Sequence, residues 1–150
     1  MIPRLPPLAH VVSGIVAVLF LDTFVGWGRY ELHWSRYVGG ACIVASIVLL
    51  LPAIRAFLIA HTTIDPRTPE RSDVLVTSGI YRYSRNPMYL GMALLLAGEA
   101  LILQHALALF VPMVFVALMT AQQIRAEECA LQARFGQAYT DYRSRTRRWL

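Results

Sequence analysis

The chain has 150 residues, enough for one packed core and too few for two. Apolar residues make up 57% and charged residues 15%, with a mean hydropathy of +0.50, which excludes a disordered chain and fits an ordinary soluble enzyme poorly. All 14 basic residues are arginines, set against 9 acids for a net charge of +5; they flank long apolar runs, a pattern suited to anionic phospholipid headgroups and not to a nucleic-acid groove.

Four runs are long enough to cross a hydrocarbon core, which takes about 20 apolar residues. The first covers about 9–27. Arg4 precedes it as in a signal peptide, but the block is long and no small-x-small cleavage site follows, so it reads as a membrane helix. The second covers about 37–60, with a kink expected at Pro52. The stretch from Met88 to Ile124 would reach about 55 Å as one helix, too long for one bilayer. Two helices over 88–104 and 106–124 fit instead, turning at Gln104-His105, with a second kink expected at Pro112. An amphipathic cytoplasmic helix over 125–143 follows. The expected architecture is therefore a single all-α membrane domain, residues 1–150, with four transmembrane helices and a C-terminal surface helix.

Arg4, the five arginines from Arg55 to Arg85 and the six from Arg125 to Arg148 fall on one side of this arrangement; Arg29 and Arg36 fall on the other. The positive-inside rule then places both termini in the cytoplasm and the chain in the cell (inner) membrane. Cys42 and Cys129 imply no disulfide framework, and the histidines lack metal-ligand spacing, so no metal site is expected. Asp22 and Glu99 are acids inside apolar runs; pairing with Arg29, Arg36, His33 or His105 is their plainer account.

The inner connection, 61–87, is about 27 residues, a length that is usually functional or disordered. Its residues 62–70 read as a proline-stiffened strap, and residues 73–81 carry aliphatic and aromatic groups that need burial. Gly79 can supply a tight turn that lets backbone approach a ligand. Asn86 is a good N-cap and Pro87 suits the first helical position, so the third helix should start there, with an anion-favouring N-terminus. Tyr81, Tyr83 and Tyr89 offer faces to a cation, although an interfacial aromatic belt with snorkelling arginines is the plainer alternative.

On a helical wheel with Ile124 at 0°, Leu131, Phe135, Ala138 and Tyr142 lie within about 40°. Glu128 falls inside that apolar stripe at about 40° and Glu127 borders it at about −60°. Two acids on a buried face need a cation or donors. Arg82 or Arg85 could supply these as a structural pair; a ligand with an amine or sugar hydroxyls is the other reading.

Two segments carry a resemblance. "LVTSGIYRYSRNPMYLG" (Leu75 to Gly91) and "RAEECALQARFGQAYTDY" (Arg125 to Tyr142) resemble the central motif and the Glu-Glu helix of the isoprenylcysteine carboxyl methyltransferase and phospholipid methyltransferase family of integral membrane enzymes. The resemblance implies an S-adenosylmethionine-dependent methyltransferase, its cofactor pocket open to the cytosol and to a lipophilic acceptor from the bilayer. By position, Asp73, Val74, Leu75 and Val76 would lie along the cofactor with the Gly79 turn. Tyr81 would pack on it, Asn86, Pro87, Met88 and Tyr89 would line it, and Glu127 would hold its polar groups. Arg85, Asn86, Arg125 and Glu128 would serve the transfer: the arginines on an anionic acceptor group, Glu128 or Asp73 as a base for an amine.

Two positions depart from the pattern of the eukaryotic prenylcysteine enzymes: Asp73 stands two residues before Leu75 where they have a histidine before Leu-Val-Thr, and Gln123, with Arg125 nearby, stands where they place an acceptor-binding arginine; both argue against a prenylcysteine acceptor. Asn86 in place of a histidine before the proline resembles bacterial members. Two other readings compete. A non-enzymatic four-helix binding or transport protein would line its helices with polar residues, and a nicotinamide-dependent reductase would show a dinucleotide glycine fingerprint; neither feature is present.

Overall fold

The computed structural model describes residues 5–59 and 74–150, and the chain is helical through most of them. Helix α1 is Pro7–Phe24, α2 His33–Ile59, α3 Pro87–Leu103, α4 Phe110–Leu118, α5 Arg125–Phe135 and α6 Gln137–Arg145. Among the described residues, three helices are long and apolar enough to cross a membrane: α1, α2 and the continuous helical stretch Ala106–Phe135. α3 is apolar but has 17 residues, a rise of about 25 Å.

The outward faces of these helices are themselves apolar. Leu8, Val12, Val16 and Phe20 on α1 and Val44, Ile47, Val48 and Leu51 on α2 are exposed. Helices apolar all round belong in hydrocarbon. Inward, α2 and α3 pack backbone to backbone: a Cβ built on Gly39 would stand 2.7 Å from the Gly98 carbonyl, and one on Gly98 2.7 Å from the Gly39 carbonyl. Small residues permit this approach, which dispersion rewards where lipid removes the hydrophobic drive for helix association. Val11, Tyr89, Ala93, Leu96, Phe115, Met119 and Ile124 then fill the core between α1, α3 and α4.

The turn at Gln104-His105 is present and has a physical cause. Gln104 takes a left-handed conformation (φ 57°) that ends α3, and its side-chain amide donates to the Leu32 carbonyl at 2.7 Å. Tyr30 N donates to the Gln104 carbonyl and Ala106 N to the Gly28 carbonyl, tying this turn to the α1–α2 connection. Asp22 pairs with Arg29 at 3.3 Å, the plain account of that acid. One carboxylate oxygen of Glu99 is buried with no hydrogen-bond partner among the described residues.

Several expected boundaries shift. α1 stops at Phe24, because Val25 is extended and Gly28 has φ 91°. α2 begins four residues earlier than expected, at His33. Pro52 lies inside α2, whereas Pro112 sits in the first turn of α4, where its missing N–H costs nothing. The fourth helix does not stop at Ile124: a π-helical segment, Met119–Ile124, carries it without a break into α5. The expected 125–143 helix is two helices, because Gly136 adopts φ 52°, ψ −119°, open to glycine and costly for other residues.

Candidate active site

The site forms where the start of α3, the helix α5 and the last residues of the chain converge. The helical turn Gly79–Arg82 leads in, and Gly79 takes the expected positive φ, 61°. It drives Tyr81 inward, 5% exposed, with its ring edge-on to Phe57 of α2 at 5.4 Å. Tyr142 of α6 donates from its hydroxyl to the Tyr81 carbonyl at 2.7 Å. Burial raises the pKa of the Tyr81 hydroxyl, and neighbouring Tyr142 and Glu127 add to the shift, so Tyr81 stays a neutral phenol.

Two clusters follow, one on each acid of the Glu127-Glu128 pair. In the first, Tyr89 donates from its hydroxyl to Glu127 Oε1 at 2.6 Å and Gln123 donates from Nε2 to the same oxygen at 3.0 Å. In the second, Arg148 grips Glu128 with Nε on Oε1 (2.9 Å) and Nη2 on Oε2 (2.7 Å). Arg85 adds Nη2 at 3.1 Å from Glu128 Oε1. Burial alone would raise the Glu128 pKa, but the Arg148 hydrogen bonds and the charges of Arg85, Arg148 and Arg143 outweigh it and lower the pKa. Both carboxylate oxygens of Glu128 are thus engaged by guanidinium groups.

Asn86 holds the N-cap position of α3, with Pro87 first in the helix, but makes no side-chain cap bond. Its Nδ2 instead donates to the Arg148 carbonyl at 2.9 Å, and its own N–H donates to Ser84 Oγ at 3.1 Å. Arg85 N donates to the Arg147 carbonyl at 2.9 Å. The last residues thus lie along the motif loop, and Trp149 packs against the core cluster that contains Tyr89.

The structure therefore gathers Tyr81, Arg85, Asn86, Pro87, Tyr89, Glu127 and Glu128 around the head of α3. Met88, Leu75 and Val76 are half-buried and Val74 is exposed; Asp73 lies outside the described residues. Arg125 is exposed and takes part in neither acid cluster. Arg85 fulfils the expected pairing with an acid; Arg82 is exposed and offers its carbonyl to Thr146 at 3.5 Å. Sequence reasoning missed Arg148 and Ser84. Arg148 sits in a tail rich in arginine and carries no local mark of being the one that turns inward.

The phospholipid methyltransferase family model matches residues 34–138, which includes both acids and the start of α3. The chain belongs to this family. It is also 28% identical over 123 residues to protein-S-isoprenylcysteine O-methyltransferase of Tribolium castaneum, a match covering 82% of this chain and 44% of that protein. A 63-residue stretch, 42% of this chain, is 36% identical to the full length of an uncharacterized protein of Haemophilus influenzae. The chain spans less than half the length of the beetle enzyme. Gln123, where the prenylcysteine enzymes carry an arginine by resemblance, is buried and bonded to Glu127, so the departure lies at the site itself.

Proposed function

We propose that the protein is an integral membrane methyltransferase that uses S-adenosylmethionine to methylate a lipophilic acceptor carrying an oxyanion. The carrying observation is the pair of clusters at the head of α3: Glu127 between Tyr89 and Gln123, beside buried Tyr81, and Arg85 against Glu128. The donor set fits the cofactor. A carboxylate suits its amino group and ribose hydroxyls, and tyrosine faces suit a sulfonium cation. When bound, S-adenosylmethionine supplies an electrophilic methyl, whose C–S bond breaks as the acceptor's lone pair attacks and whose bonding pair stays on sulfur.

The residues of this chain align and desolvate the reactants, which supplies most of what a direct displacement needs. Tyr89 and Gln123 hold the Glu127 carboxylate in one orientation for the cofactor. The side chain of Arg85 is 8% exposed, and its Nε and Nη1 are buried without a hydrogen-bond partner among the described residues. Buried donors left unpaired are costly, and arginine's planar fork suits an oxyanion. An ionised oxyanion needs no base, consistent with a neutralised Glu128. Asn86 is pinned by Arg148 and so acts by shaping the loop. Nothing is routed through Arg125.

The acceptor enters from the bilayer in this reading. An apolar groove of about 460 Å³ opens between α1 and α4, lined by Ala17, Leu21, Val111, Val114 and Phe115 among others, and Phe115 shares the core cluster of Tyr89. In this reading α3 serves as a fourth, slightly short span, and the arginine asymmetry supports a cytoplasmic side for 61–87 and the tail, with the chain in the cell membrane. The test is labelled-methyl transfer from S-adenosylmethionine to lipid extract, prenylcysteine analogues, long-chain carboxylates and water-soluble amines and thiols. Transfer to the lipophilic oxyanions is expected, and Arg85→Ala should abolish it with little change in cofactor affinity by calorimetry. Transfer confined to water-soluble acceptors would overturn bilayer entry.

A further inference from the structure

We propose that Arg148 is a positioning residue: by occupying Glu128 with two of its own donors, it limits that carboxylate to one contact with Arg85 and keeps Arg85 available to an acceptor oxyanion. The inference rests on the acceptor reading above. Its observations are geometric. Glu128 gives Arg148 two short bonds, 2.9 and 2.7 Å, and gives Arg85 one longer contact at 3.1 Å. The fork geometry of arginine on a carboxylate is the stronger arrangement, so Arg148 holds the better share of Glu128.

The cluster of two guanidiniums on one carboxylate carries an excess positive charge, and the unpaired buried donors Nε and Nη1 both belong to Arg85. Without Arg148, Glu128 would be free to turn onto Arg85 and neutralise it. The Arg148 guanidinium is placed by its own backbone. Its carbonyl accepts from Asn86 Nδ2 at 2.9 Å and from Ser84 Oγ at 3.4 Å, and the neighbouring Arg147 carbonyl accepts from Arg85 N at 2.9 Å. Trp149 anchors the next residue in the core. One residue thereby joins the motif loop to α5.

The test uses the whole chain in phosphatidylcholine nanodiscs without cofactor. It measures binding of radiolabelled dodecanoate against its methyl ester, at a pH where the carboxylate is ionised. The native protein should prefer the carboxylate by about tenfold or more, the worth of a hydrogen bond to a charged group. Arg148→Ala should lose that preference, Arg148→Lys, which cannot form the two-bond fork, should lose part of it, and Glu128→Gln in the Arg148→Ala background should restore it. A merely structural clamp predicts the reverse, since the second change would remove one more tie. Overturning results are an Arg148→Ala protein that keeps the preference, an Arg148→Lys protein that keeps it in full, or a double variant that regains nothing. Arg85→Ala separates the two levels. A native protein with no preference, or an Arg85→Ala protein that retains it, sinks the acceptor reading itself; loss in Arg85→Ala but not in Arg148→Ala sinks only the role of Arg148.

Discussion

Glu127 and Glu128 are neighbours in α5, yet successive helical residues point about 100° apart and so reach different partners. Glu127 turns to Tyr89 and Gln123, while Glu128 turns to Arg148 and Arg85. A half-buried carboxylate held by a hydroxyl and an amide donor suits the amino group and ribose hydroxyls of the proposed cofactor. Glu127→Gln should therefore weaken S-adenosylmethionine binding by about ten- to a hundredfold, the loss of one charge-assisted hydrogen bond at about 1.5–3 kcal/mol. Tyr81→Ala should weaken it as well. Calorimetric titration of the two variants checks this, with circular dichroism to show that both remain folded; unchanged affinity in both would return these residues to a purely structural role.

At the scale of elements, the break at Gly136 decides how the C-terminal part packs. A single straight helix would carry Tyr139 and Tyr142 away from the loop; the turn folds α6 back so that both are buried and Tyr142 reaches the Tyr81 carbonyl. Gly136→Ala forces a side chain into φ 52°, ψ −119°, at a cost of about 1–3 kcal/mol. It should lower the thermal unfolding midpoint in detergent and expose Tyr142 to the solvent, read by tyrosine fluorescence quenching. The close α2–α3 packing sets a second limit. Gly98→Val would drive its side chain into the Gly39 carbonyl, which stands only 2.7 Å from an added Cβ, and should reduce the yield of folded protein.

At the scale of the molecule, the arginine asymmetry and the converging site point to one working face. The clusters at the head of α3 and the arginine-rich tail share one end of the helices, while the Tyr30–Gln104 and Ala106–Gly28 ties lie at the other. Cysteine-accessibility labelling of intact cells should reach positions introduced at 29–36 from outside and positions at 61–87 or 143–150 only after permeabilisation. Labelling of both connections from the same side would overturn the four-span topology.

Apolar run lengths, the placement of arginines and the Asn86-Pro87 start were legible in the sequence because each is set locally, by hydrocarbon thickness, by surface charge and by backbone preference. The two motifs made the Glu-Glu helix and the tyrosine-rich loop visible as a pair. The partners of the acids were not legible. Arg148 stands 20 residues from Glu128 and Tyr89 38 residues from Glu127, separations at which no periodicity operates. Which arginine of the tail turns inward depends on the turn at Gly136 and on the loop carbonyls that receive the chain's last residues. Those are properties of the packed molecule, since burial alone makes an unpaired charge costly enough to select its partner.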